Sequence, residues 1–290
     1  MSVREALRDG LKALAAARTP SPQLVAELLL AHVLASSRGD LHARHDQQLS
    51  PEAARQYSDL ISRRISGIPT QYLTGRQEFW GLDIEVTPDV LIPRPETEHI
   101  VETVLDLARR QSPLRETALR IVDVGAGSGC IALALASELS QSRIAALDIS
   151  AAALRVARKN AARLVLAGRI EFRESDLLRC FLDEGRRDFF DFVVSNPPYV
   201  GRGELDSVER EVKEFEPRLA WGGLEDGEEI YRRLFPEAFT LLKPGGYVVV
   251  EIGYGMRDAV TGLLGAGWEG VEARPDLRGI PRVVTARKSI

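Results

Sequence analysis

Apolar positions along this 290-residue chain keep two different rhythms. In the first part they recur at helical spacing. Val3, Leu7, Leu11 and Leu14 follow Ser2, a residue suited to cap a helix. Leu24, Val25, Leu28, Leu29 and Val33 make a second apolar face behind Ser21-Pro22, a cap followed by proline at the first helical position. Ser50-Pro51-Glu52 repeats that start signal, and Tyr57, Leu60, Ile61 and Ile65 carry a further helix until Gly67 stops it. The pattern predicts a small helical bundle over residues 1–68.

The rhythm then changes. Residues 78–86 read as two short strands turning near Gly81, inside a linking segment that spans 69–96. From residue 97 onward, strands alternate with helices. Ile100, Val101, Val104 and Leu105 mark a helix with Glu96 or Thr97 near its start, 120–124 a strand, and Ile131, Leu133, Leu135 and Leu139 the next helix. Strands follow at 143–147, 170–172, 191–195 and 247–252, with helices at Leu154, Ala157 and Ala161 and over 226–242, and a turn at Lys243-Pro244-Gly245-Gly246. Residues near Trp268 and at 282–286 close the series as a pair of strands. Such alternation predicts an α/β domain over 97–290, a doubly wound and mostly parallel sheet with right-handed crossovers.

Composition narrows the function classes. The net charge is −4, and the first 85 residues carry ten basic and ten acidic side chains, so neither part offers the basic face of a protein that works by neutralising phosphates. No direct nucleic-acid partner is expected. Cys130 and Cys180 are too few for a disulfide framework and fit a reducing compartment. No apolar run approaches the roughly 18 residues of a membrane span, and Glu5 and Asp9 spoil a signal-peptide pattern, so the expectation is a cytoplasmic protein, read as a monomer. His42 and His45 lack a second ligand pair and are read as solvated or capping residues; no metal is expected.

Three stretches carry chemistry. Gly125-Ala126-Gly127-Ser128-Gly129 follows a strand and opens a helix; its glycines permit a sharp turn and close ligand approach. It is shorter than the loop that cradles a pyrophosphate, and so suits a nucleoside without phosphate. Asp123, just before it, has two open readings: a bond to loop amides or to a charged amino group of the ligand. Asp148 ends the next strand, where a carboxylate can bind both ribose hydroxyls, and Asp176 ends the third, where it could accept from an adenine amino group. The last stretch is Asn196-Pro197-Pro198-Tyr199. Its prolines stop the strand and remove two donors, leaving an arch of acceptors and an aromatic ring, suited to a planar group that carries NH2.

Together these stretches resemble the class I S-adenosylmethionine-dependent methyltransferases that modify a planar nitrogen. The tetrapeptide occurs in amino-methylating DNA enzymes and in glutamine-N5 protein methyltransferases. Leu91-Ile92-Pro93-Arg94-Pro95-Glu96-Thr97-Glu98, with Gln71-Tyr72-Leu73-Thr74-Gly75, Asp148-Ile149-Ser150, Phe215-Glu216-Pro217 and Glu251-Ile252-Gly253, resembles the peptide chain release factor glutamine-N5 methyltransferases along nearly the whole chain. The ribosomal-protein glutamine methyltransferases differ after Ile-Pro-Arg. The resemblance implies a Rossmann-like sheet and S-adenosyl-L-methionine as cofactor, held by Asp123, Gly125, Ala126, Gly127, Ser128, Gly129, Asp148, Asp176, Leu177 and Asn196. It implies as substrate the Gly-Gly-Gln loop of class 1 release factors, met by Asn196, Pro197, Pro198, Tyr199, Arg94 and Glu96 and gripped by the helical bundle. Asn196 and Pro197 are expected to accept the two amide hydrogens, with Tyr199 packed on the amide plane. Leu177 stands where relatives often carry an aromatic residue, which predicts weaker stacking on the adenine.

Overall fold

A computed structural model of the chain describes residues 1–111 and 118–290. These form two compact units, one of Met1–Arg76 with Glu209–Phe215, the other of Gln77–Val208 with Glu216–Ile290.

The first unit is helical: α1 (Val3–Ala16), α2 (Pro22–Val33), α3 (Arg38–Ala43), α4 (Pro51–Ile65) and α5 (Thr70–Thr74). Ser2 closes a reciprocal capping box with Glu5, and Ser50 caps α4 through the Ala53 amide. Ser21 does not act as expected. Its backbone is left-handed and its hydroxyl makes no cap bond, so Pro22 alone marks the start of α2. The buried stripe of α2 also differs from the expected one: Leu24 and Leu28 are exposed, whereas Ala26, Glu27 and Leu30 are buried beside Val25 and Leu29. An almost wholly apolar helix leaves its inner face undecided by periodicity, and packing against α1, α3, α4 and α5 decides it. Glu27 is tolerated inside because Arg38 and Gln23 bind its carboxylate. Ile65, in the last turn of α4, is likewise exposed. His42 lies in α3, 3.7 Å from Glu27.

Residues 209–215 join this unit through the helix Arg210–Phe215: Glu211 pairs with Arg64, and the Phe215 ring lies against Gly67, whose φ is +106°. A sequence pattern cannot announce an attachment made from so far along the chain.

The hairpin β1 (Arg76–Phe79) and β2 (Leu82–Glu85), which from Gln77 onward belongs to the second unit, turns at Trp80 and Gly81, both with positive φ, as a type I′ two-residue turn requires. Then come α6 (Glu98–Gln111), β3 (Arg120–Val124), α7 (Cys130–Glu138), β4 (Arg143–Asp148), α8 (Ala151–Arg163), β5 (Ile170–Glu174), β6 (Phe190–Ser195), the short pair β7 (Val200–Gly201) and β8 (Gly222–Leu224), and finally β9 (Leu242–Glu251), β10 (Trp268–Pro275) and β11 (Pro281–Lys288). Seven strands make one sheet in the order β10-β11-β9-β6-β3-β4-β5. β3, β4, β5, β6 and β9 run parallel; β11 is antiparallel to β9, and the edge strand β10, antiparallel to β11, runs again in the direction of the others. The chain winds from β3 outward to β5 and then crosses to β6 on the other side, so the reversal point lies between β3 and β6, where ligands bind in such sheets.

Register makes that crevice level. Val124 pairs with Leu147 and Ser195, and Ser195 with Val250, so the loops after β3, β4, β6 and β9 leave the sheet at one height. The core beneath is dry: Val122, Val193, Val248, Phe190, Tyr231 and Phe235 are fully buried or nearly so. The helix expected from residue 226 begins at Glu229. The turn expected at 243–246 is instead an irregularity inside β9 between its pairs Leu242↔Phe190 and Tyr247↔Phe192, pinned by Lys243 on both Asp191 oxygens. Among the described residues no helix is long and apolar enough to cross a membrane.

Candidate active site

A cavity of about 260 Å³ opens at the carboxyl ends of β3, β4, β5 and β6. On the β3 side its wall is Gly125, Ala126, Gly127 and Ser128. The Gly125 and Ala126 amides both donate to the Leu147 carbonyl at 2.8 Å, which folds the loop back over β4. Gly125 and Gly127 have positive φ, and a Cβ on either would meet no protein atom within 4 Å. That open space is what a ligand lying against the backbone needs.

Asp148 ends β4 and lines the cavity. Its Oδ2 accepts from the Gly127 amide and its Oδ1 from the Ser150 amide, each at 2.8 Å. Each oxygen has capacity to accept a further bond. Burial raises its pKa, against the opposing pull of these amides.

Asp123 and Gly129 do not line the cavity. Asp123 is fully buried beneath the loop; its Oδ2 accepts from the Ala132 amide at 3.1 Å, and its Oδ1 has no partner. The amide it binds belongs to α7 rather than to the loop. Burial pushes this carboxyl up to about 7. Gly129 opens α7, where a Cβ would come within 3.1 Å of the Ala157 Cβ, so packing against α8 requires glycine there.

Asp176 and Leu177 line the far wall with Ile149 and Ile131. Asp176 is not a free acceptor, because Arg233 donates to its Oδ2 at 2.5 Å. Leu177 has a positive φ of 51°, an uncommon backbone for a branched side chain, and it sits against the core below.

On the β6 side the arch presents Asn196, Pro197 and Pro198 to the cavity, with Arg94, Pro93 and Thr97 opposite. The Asn196 Nδ2 donates to Thr97 Oγ1 at 3.0 Å, and Thr97 donates to Glu251 Oε2 at 2.6 Å. Arg94 is held by buried Glu216, which also accepts from the Ile92 amide at 3.1 Å. Tyr199 departs from expectation. It does not line the cavity; its ring packs beside Gly253 and its hydroxyl donates to Glu251 Oε1 at 3.4 Å. The prolines carry the chain over the end of β6 and turn the ring down toward β9. Burial raises the Tyr199 pKa, and Glu251 raises it further. Glu96 also lies outside the cavity lining, in the short 3-10 turn Pro95–Thr97.

Sequence reasoning named neither Arg233 nor the roles of Thr97, Glu216 and Glu251. Their partners are 57 to 154 residues away; Thr97, Glu216 and Glu251 stood in segments that had drawn notice, and Arg233 in none beyond its helix.

Residues 5–75 match the PrmC N-terminal domain and residues 111–266 the methyltransferase small domain. The chain is 48% identical to the release factor glutamine methyltransferase of Koribacter versatilis, over 99% of both chains. It is 42% identical to that of Moorella thermoacetica, covering 99% of this chain and 98% of that one. In fold it is similar to a methyltransferase from Pyrococcus furiosus, with a TM-score of 0.51 at 18% identity, covering 80% of this chain and 100% of that one. The N-terminal domain of human METTL16, solved in complex with SAH, gives a TM-score of 0.52 at 19% identity over 79% and 82% of the two chains. The chain belongs to the release factor glutamine methyltransferase family.

Proposed function

We propose that this protein transfers the methyl group of S-adenosyl-L-methionine to the side-chain amide nitrogen of the glutamine in the Gly-Gly-Gln loop of class 1 peptide chain release factors. The observation that carries the reading is the Asn196 amide. With its NH2 committed to Thr97, its carbonyl oxygen is left for the cavity. A primary amide offers two hydrogens, and Asn196 Oδ1 and the Pro197 carbonyl are the acceptors for them.

The glycine loop and Asp148 fit a nucleoside. The loop leaves backbone uncovered, Asp148 keeps lone pairs for two ribose hydroxyls, and Ile149, Leu177 and Ile131 supply an apolar wall for the base. When bound, S-adenosylmethionine supplies an electrophilic methyl carbon on a sulfonium. Amide nitrogen is a poor nucleophile because its lone pair is delocalised. Asn196 and Pro197 orient it, and proximity of this kind contributes roughly 7–11 kcal/mol to barrier lowering. Tyr199 supports the arch from below through Glu251 rather than covering the substrate. Arg94, fixed by Glu216, faces the incoming loop, and Glu96 flanks it.

The helical bundle, residues 1–68, grips the release factor; the linker 69–96 joins it to the transferase domain 97–290. The enzyme acts in the cytoplasm as a monomer, and its charge balance supports a protein substrate over DNA. A labelled-methyl assay tests this with intact release factor, a Gly-Gly-Ala variant of it, the ribosomal-protein substrate of the sibling enzymes, and duplex DNA. Label in intact release factor alone is expected, and label in DNA or equal label in the variant would overturn the assignment.

A further inference from the structure

The Asn196 amide is held at the end of a chain of hydrogen bonds that has a direction. Thr97 Oγ1 lies 2.6 Å from Glu251 Oε2 and 3.0 Å from Asn196 Nδ2. Thr97 and Glu251 are both buried, away from water that could offer other partners. A hydroxyl has one hydrogen, and an ionised carboxylate only accepts. Thr97 therefore gives its hydrogen to Glu251, and its oxygen can only accept from Asn196. Only the NH2 side of the Asn196 amide can face Thr97. Glu251 is itself anchored: Tyr231 donates to its main-chain carbonyl at 2.7 Å and Tyr199 to Oε1. The direction holds for the ionised carboxylate and for a carboxyl with its proton on Oε1, which leaves Oε2 an acceptor; a proton on Oε2 would reverse it.

We propose that Thr97 and Glu251 are positioning residues whose hydrogen-bond polarity fixes which end of the Asn196 amide faces the cavity, and so admits a substrate that donates two hydrogens. This rests on the reading of Asn196 Oδ1 as the acceptor for the glutamine amide. A half-turn of the Asn196 side-chain amide would set NH2 against NH2 and close the site to an amide substrate. Three distant segments meet to prevent it: the turn before α6, the end of β6 and the end of β9.

The test uses substitutions that remove or reverse the polarity, assayed on release factor with labelled cofactor. Glu251→Met takes away the acceptor, so the Thr97 hydrogen turns to Asn196 and stabilises the wrong orientation; kcat is expected to fall about tenfold or more, with KM and cofactor Kd within about twofold. Thr97→Val alone leaves Asn196 undirected and lowers kcat by about two- to fivefold, while Thr97→Ser stays within about twofold of the parent. The decisive variant combines Glu251→Met with Thr97→Val. Removing the misdirected hydroxyl is expected to raise kcat about threefold above Glu251→Met alone, a sign that a merely structural role cannot produce. A double variant at or below the Glu251→Met rate, or a Thr97→Ser loss equal to that of Thr97→Val, would overturn the relay. Asn196→Ala separates the two layers: if it keeps full kcat, the acceptor reading itself falls, and if it is inactive while Glu251→Met keeps the parent kcat within about twofold, only the relay does. Should the variants not fold, neutron diffraction from the unaltered protein reads the same polarity. A deuteron on Thr97 directed at Glu251 upholds it, and one directed at Asn196 refutes it.

Discussion

Arg233 holds Asp176 by a single ion pair, 2.5 Å long and about half exposed on both sides, at the wall of the cavity. An exposed pair of this kind adds little stability, so its consequence is to fix where the Asp176 carboxylate points. Arg233→Ala is expected to leave the melting temperature within about 2 °C and kcat unchanged, while raising the cofactor Kd about threefold. Asp176→Ala is expected to raise that Kd about tenfold, because the acceptor itself is lost. Calorimetric titration of S-adenosylmethionine measures both, and an unchanged Kd in Asp176→Ala would remove this residue from the cofactor site.

Asp148 offers a stronger test of the nucleoside site. Both of its oxygens accept backbone amides, so Asp148→Asn places an NH2 against an N–H and disorders the glycine loop. Cofactor Kd should rise at least about thirtyfold, more than for loss of one ligand hydrogen bond. An affinity close to that of the parent would show that the loop stands without this carboxylate.

Gly10 in α1 faces the Tyr57 ring of α4. A Cβ there would come within 2.1 Å of the Tyr57 hydroxyl oxygen and 2.9 Å of Cζ. Gly10→Ala is expected to destabilise the helical unit by about 2 kcal/mol despite its better helix propensity. The Tyr57 hydroxyl is buried without a partner, so Tyr57→Phe is expected to be neutral or slightly stabilising and to recover part of the Gly10→Ala loss. Urea unfolding of the single and double variants decides this, and strict additivity would mean that the clash is relieved elsewhere.

Burial pushes Asp123 and Glu251 each up to about 7, from ordinary values of 3.8 and 4.5. The folded chain therefore holds protons between about pH 4 and 7 that the unfolded chain has lost, and these groups make stability fall as pH rises through that window. Asp123→Asn removes one of them while keeping an oxygen for the Ala132 amide. The drop in unfolding free energy from pH 5 to pH 8 is expected to shrink by on the order of 3 kcal/mol. An equal drop in both proteins would place the Asp123 pKa in the ordinary range.

The parts of this protein that were legible in the sequence are those whose cause is local. Strand-loop-helix at Arg120 to Ile131 carries its glycines and its periodicity in one stretch, and the Trp80-Gly81 turn follows from a short alternating run. Proline-proline after β6 announces where the strand must end. Legibility failed where the cause is distant. The inner face of α2 depends on four other helices, and the direction of the Tyr199 ring depends on β9. No local pattern says that Thr97, readable as a helix cap, answers to Glu251 across 154 positions. Buried polar pairs of this kind are set by topology, and a single sequence records only their two halves.

The level strand ends carry a consequence for redesign. In the proposed reading, the loops after β3, β4 and β5 hold the donor, whereas the arch after β6, backed by Glu251 at the end of β9, presents the acceptor site, and the boundary falls between β3 and β6. That reading puts donor chemistry and substrate choice on opposite halves of one sheet. Retargeting to a different nucleophile would be a matter of regrafting residues 196–199 together with their partners at 97 and 251, with the donor half carried over untouched.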